Sequence, residues 1–177
     1  MLRSVLLALV VAGPSLSATR IEIPDKETLK SFRLTTDNVR KAAAVSLRLA
    51  SEAAKDPALA RLLARHGPRT ASLDERAKVL ERDPRIAFSL RAESIAAREY
   101  VMVQVTVVQA RLVTALHERG VQLDPADVRE ALNPANVQFV ESHAKEIDEL
   151  VRADEELRKV TDASIVPERQ RSQSPEQ

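Results

Sequence analysis

The chain has 177 residues, 44% of them hydrophobic and 30% charged, with a formal net charge of +1 and no cysteine. That is enough apolar material for one domain with its own core and a solvated surface. It excludes disulfides, a lipid attached through cysteine and a global field that would gather nucleic acid or anionic lipid.

Residues 1–18 read MLRSVLLALVVAGPSLSA. Arg3 gives a positive start, Val5 to Ala12 form a short apolar run, Gly13 and Pro14 break it, and small residues follow. This predicts a signal peptide over 1–17 that is cleaved before Ala18, and with it a periplasmic or secreted address. The apolar run would reach roughly 12 Å as a helix against a hydrocarbon core of ~30 Å, so no stable membrane insertion is expected after cleavage. Arginine outnumbers lysine and alanine is abundant, a composition that fits a GC-rich bacterium.

Residues 18–33 are polar and read as an extended lead-in. A helix starts at Thr35 or Thr36 and runs to about Ala54. Pro57 to His66 continues it after a break, Leu73 to Arg82 and Pro84 to Ala92 are shorter, and a long central helix covers about 96–119. A short turn of helix spans Asp124 to Leu132, and the last long helix runs from Pro134 to about Val160. Residues 161–177 read as a disordered tail. The ends of these elements carry a repeated device. In Asp56-Pro57, Asp83-Pro84, Asp124-Pro125 and Asn133-Pro134, an N-capping side chain precedes a proline at the first helical position. Ser72-Leu-Asp-Glu75 has capping-box spacing, and Gly67 and Gly120 stand where left-handed C-caps belong. The proline spacings have no fixed period, so this is shared cap chemistry and not a repeat array.

The segment REYVMVQVTVVQARLV, residues 98–113, is the ambiguous one. Val101, Val103, Val105 and Val107 alternate as in a strand. Yet no glycine or proline interrupts Arg85 to Arg119, and no second β-like run exists to pair with. A helix packed on several sides is the better reading. Val101, Val105, Val108, Leu112, Ala115 and Leu116 share one face, Val103, Val107 and Ala110 the opposite one, and Gln104, Arg111 and Glu118 a narrow polar stripe. In the last helix, Val137, Val140, Ala144, Ile147 and Val151 form the apolar stripe. Asp154 falls on the same face, which places the end of core contact near Val151. The early helices are basic (Arg40, Lys41, Arg48) and the last is acidic (Glu141, Glu146, Asp148, Glu149). This favours an antiparallel or neighbouring arrangement, although two solvated faces that never meet would give the same pattern. The expectation is an all-α, single-domain helical bundle of five to seven helices with a buried central helix. The domain covers residues 34–160.

Catalytic and cofactor signals are sparse. Two isolated glycines in the mature chain cannot build a phosphate-binding loop, and no G-x-S-x-G motif supplies a nucleophile. Aromatic residues amount to 2%, namely Phe32, Phe88, Phe139 and Tyr100, which excludes stacking platforms for single-stranded nucleic acid and aromatic cages. His66 and His117 sit at helix C-termini, where a cationic ring suits the dipole. His143 lies at the edge of the last apolar stripe. It could hydrogen-bond Asn136 or a carbonyl, or join Glu146, one turn on, as a metal ligand with Glu99 as a third. The Glu-x-x-His pattern of carboxylate di-metal bundles is absent, because the residues three before each histidine are Leu63, Thr114 and Val140. Glu99, Tyr100, Asn136 and His143 form the candidate ligand-binding cluster between the central and last helices. No cofactor and no catalytic residue is assigned.

REYV at 98–101, NPANVQFV-x-x-H-x-x-E at 133–146 and LTTDNVRK at 34–41, behind a leader, resemble a set of small exported bacterial proteins of uncharacterised function. The resemblance covers roughly Phe32 to Arg152 and implies an exported, helical, one-domain protein. It carries no activity across. The functional expectation is a non-enzymatic binding or protein-interaction module with a protein or small-ligand partner in the periplasm. The alternative is a small-ligand or metal-binding protein that uses the polar cluster.

Overall fold

The computed structural model describes residues 25–65, 72–126, 128 and 132–171, so the expected leader, His66 and Gly67 lie outside the described residues. Eight helices are described: α1 (Lys26–Ser31), α2 (Thr36–Lys55), α3 (Pro57–Arg65), α4 (Leu73–Arg82), α5 (Pro84–Ala92), α6 (Ala97–Glu118), α7 (Pro134–Ser142) and α8 (Ala144–Arg171). The fold is all-α, with no strand among the described residues.

Cap chemistry sets the helix boundaries. Thr35 and Asn38 exchange hydrogen bonds at the start of α2, and Ser72 and Glu75 do so at the start of α4. Asp56, Asp83, Asp124 and Asn133 each accept from the backbone N–H two residues on, at 2.7–3.1 Å, so all four Asp/Asn-Pro pairs act as caps. At the end of α6, Gly120 adopts φ 75°. Its N–H reaches His117 O, and that of Val121 reaches Leu116 O, which satisfies two terminal carbonyls. Ser94 makes the same turn after α5 at φ 52°, with Ile95 N–H bonded to Leu90 O.

Several expectations are corrected. The lead-in is not extended throughout, because residues 26–31 form α1, whose Leu29 is buried. Asp25, just before it, reaches across to accept from Leu73 N–H at 2.8 Å. The last long helix is divided at His143, which makes the helix count exceed seven. There the Ser142 hydroxyl donates to Gln138 O at 2.7 Å and the His143 ring meets Phe139 O at 3.1 Å, so side chains compete with the helical ladder. The tail does not begin at 161 either, since α8 runs on to Arg171. Thr161 is buried and Leu157 and Val160 are packed on the core, so the apolar stripe continues past Asp154.

Of the helix pairs, α2 and α8 pack most extensively. Alanines at 42, 43, 50 and 53 on α2 and Ala153 on α8 are buried and let the two backbones approach. Their charges do meet, through Arg40 and Glu146 at 3.2 Å. The direction is parallel rather than antiparallel: Leu34 bonds Asn136, Arg40 bonds Glu146 and Ser46 bonds Asp154, with both numbers rising together. One large core cluster gathers Val39, Leu49, Ile86, Val103, Val113, Ile147 and Leu150, and a smaller one holds Leu29, Leu73, Val101 and Met102.

Residues 98–113 are helical. The buried side of α6 is Ala97, Tyr100, Val103, Thr106, Val107, Ala110 and Val113, with Val101 and Met102 beside it. The helix is not covered on every side: of the stripe through Val101, Val105, Val108, Leu112, Ala115 and Leu116, Val101 is buried while Val108 and Leu112 stand at 68% and 48% exposure. Gln104, assigned to the polar stripe, is half-buried in a hydrogen-bond network.

Candidate functional site

Tyr100 is the only tyrosine, sits in the first turn of α6 and is buried. Its hydroxyl lies 2.9 Å from Ser46 Oγ on α2. Ser46 in turn donates to Asp154 Oδ1 on α8 at 2.6 Å, which uses its single proton, so Tyr100 is the donor in the first contact. One turn along α6, Gln104 Nε2 donates to Tyr100 OH at 2.9 Å and to Asp154 Oδ1 at 3.2 Å. The four side chains close a ring of hydrogen bonds that joins three helices. Burial pushes the Asp154 carboxyl above its usual range, against the bonds from Ser46 and Gln104 that hold it down. Burial, and then the nearby Asp154 charge, push the Tyr100 phenol far upward, so it stays protonated. Ser46 is fully buried, which keeps its hydroxyl from acting as a nucleophile on anything in solvent.

Tyr100, Gln104 and Asp154 of the ring line the base of an open groove of about 1190 Å³. Few backbone approaches join α6 to α8, and the groove opens between them, with α4 as its other wall. Leu63, Val79, Leu80, Val105, Val108 and Leu157 give it an aliphatic lining. Gln109 Oε1 is buried against it without a hydrogen-bond partner. Along the groove stand the cations Arg76, Lys78, Arg82 and Arg158. Arg76 is half-buried, and burial pushes its guanidinium below the usual value. No protein family, curated protein or solved structure matches the chain.

The four residues proposed from the sequence are not joined to one another by hydrogen bonds. Asn136 is buried and ties the start of α7 to the α1–α2 connection. Its Oδ1 accepts from Leu34 N–H at 2.9 Å and its Nδ2 donates to Phe32 O at 3.0 Å. His143 stacks on Phe139, ring centroids 4.0 Å apart, and its bond to Phe139 O requires the proton on Nδ1. Glu99 is half-buried and its field reaches Lys41. Glu146 is engaged by Arg40. Among the described residues no group of three or more His, Asp or Glu is placed to hold a metal ion.

Tyr100 alone of the four lines the groove. Sequence reasoning missed its partners Ser46, Gln104 and Asp154. The available signal was Asp154 itself, a carboxylate on an apolar stripe that continues beyond it. Ser142-His143-Ala144-Lys145 has the S-x-x-K spacing of acyl-transfer sites, but the Ser142 hydroxyl is spent on carbonyls of its own helix.

Proposed function

We propose that the chain is an exported, single-domain helical binding module of the bacterial envelope. It recognises a partner protein through the groove between α4, α6 and α8. The observation that carries this reading is the outward stripe of α6. Val105 and Val108 line the groove, Leu112 and Leu116 continue the stripe along the same face, and Val108 and Leu112 stand 68% and 48% exposed. Contiguous apolar surface of this kind marks interaction sites. Leader-like residues 1–17 and the motifs at 98–101 and 133–146 support export and membership of the small exported set.

The test compares capture from periplasmic extract by the wild type with capture by Val108→Glu, Leu112→Glu and a control, Phe88→Glu. Phe88 is 60% exposed on a different surface, beside Arg48 and Glu52. Loss of the same bound species in the two α6 variants and its retention by the control is the expected result. Undiminished capture by Val108→Glu overturns the reading.

A further inference from the structure

We infer that the element seated in the groove is an acidic amphipathic helix, an inference that rests on the groove being the recognition site. The first argument is charge. Arg76, Lys78, Arg82 and Arg158 line the groove, and none of them has a hydrogen bond or ion pair from its side chain among the described residues. The two carboxylates there are already committed, Glu75 to its capping box with Ser72 and Asp154 to Ser46 and Gln104. Those bonds come from neutral donors and leave the carboxylates charged, so the lining sets four cations against two carboxylates and its balance is positive, with Lys78, Arg82 and Arg158 exposed at its mouth. Such an arrangement is complementary to an acidic rim on the occupant.

The second argument is shape and depth. The apolar residues Val105, Val108, Leu112 and Leu116 recur at spacings of three and four over three turns, roughly 16 Å of α6. A partner helix with apolar residues at i, i+3, i+4 and i+7 matches that row. A small anion sunk into the groove would instead meet Asp154, whose Oδ1 already accepts two bonds at the base. Negative charge is welcome at the mouth and unwelcome at the floor, and an apolar stripe with acidic flanks has that distribution.

Two synthetic helical peptides of about 18 residues serve as probes, long enough to hold helix on docking. They share one leucine stripe and differ in flanks, glutamate in one and lysine in the other. Binding to the full chain is read by fluorescence anisotropy at low salt and at about 0.3 M salt, where the screening length is short. The glutamate peptide is expected to bind about ten-fold more tightly at low salt, to lose most of that margin at high salt, and to lose it in the Arg82→Glu/Arg158→Glu variant. Both substituted positions are exposed, so folding is retained. Equal binding of the two peptides, abolished by Val108→Glu, overturns the acidic assignment and leaves the groove reading standing. No binding of either peptide overturns both. Binding of the chain to phosphatidylglycerol vesicles, with the glutamate peptide unbound, replaces the protein partner with an anionic bilayer.

Discussion

Tyr100→Phe isolates the hydrogen-bond ring from the packing around it. The phenylalanine ring fills the same space, so no cavity opens. Two of the four bonds in the ring end on the phenol, one with Ser46 and one with Gln104. Ser46 keeps its bond to Asp154 Oδ1, and half-buried Gln104 keeps one of its two N–H bonds there. The loss is therefore two bonds at about 0.5–1.5 kcal/mol each, about 2 kcal/mol in total. Urea unfolding followed by far-ultraviolet circular dichroism should show the midpoint lowered by roughly 1 M with the slope unchanged. Combined with Ser46→Ala in a double-mutant cycle, the pair should show a coupling of about 1 kcal/mol, since one bond is common to both residues. A Tyr100→Phe variant within about 0.5 kcal/mol of the wild type would show that the ring contributes nothing beyond packing.

Asp154→Asn should remove a pH dependence. The folded carboxyl is raised by burial, so its contribution to stability is complete below the unfolded value of about 4 and is lost as pH rises through the folded value. Protonation on Oδ2 leaves both bonds to Oδ1 in place. The wild type should thus lose stability relative to Asp154→Asn between acid and neutral pH, and parallel urea midpoints over that range would contradict this. Asn136→Ala strands the buried Leu34 N–H and should cost about 2–4 kcal/mol, measured as a drop in ΔG of unfolding. The two left-handed caps predict opposite signs in thermal melts. Ser94→Gly should raise stability and Gly120→Ala lower it, by about 1 kcal/mol each. At Gly120 a Cβ meets nothing within 4 Å, so backbone strain is the sole cost.

Local chemistry was readable in the sequence and non-local chemistry was not. Asp83 caps α5 through an N–H two residues away, and that distance lies within any reader's window. The orientation of α6 had no such signal. With valines at 101, 103, 105, 107 and 108, both faces read as apolar, and the choice between them belongs to the neighbours. The chain buries Val103 and Val107 and leaves Val108 out. Charge made α2 and α8 candidate neighbours without requiring them to meet, and it gave no direction, because Arg40–Glu146 is compatible with either. The Leu34–Asn136 and Ser46–Asp154 bonds decide it, and they span 102 and 108 residues.

Asp154 shows how a correct local observation led to a wrong conclusion, and why the site was hidden by it. A carboxylate on an apolar stripe has two physical outcomes: the stripe ends and the group is solvated, or the stripe continues and the group finds donors. Leu157, Val160 and Thr161 already favoured the second. Its donors come from positions 46 and 104, on helices far away in the chain. The α6 and α8 backbones rarely approach, and beside the opening the ring joins them directly through Gln104 and Asp154 and by way of Ser46 on α2. Polar groups satisfied by one another at the base leave the aliphatic walls and the unpaired cations as the surface presented outward. On the proposed reading, stability and recognition are divided between two sets of residues on one helix. Tyr100 and Gln104 serve the fold, while Val108 and Leu112 are free to serve a partner.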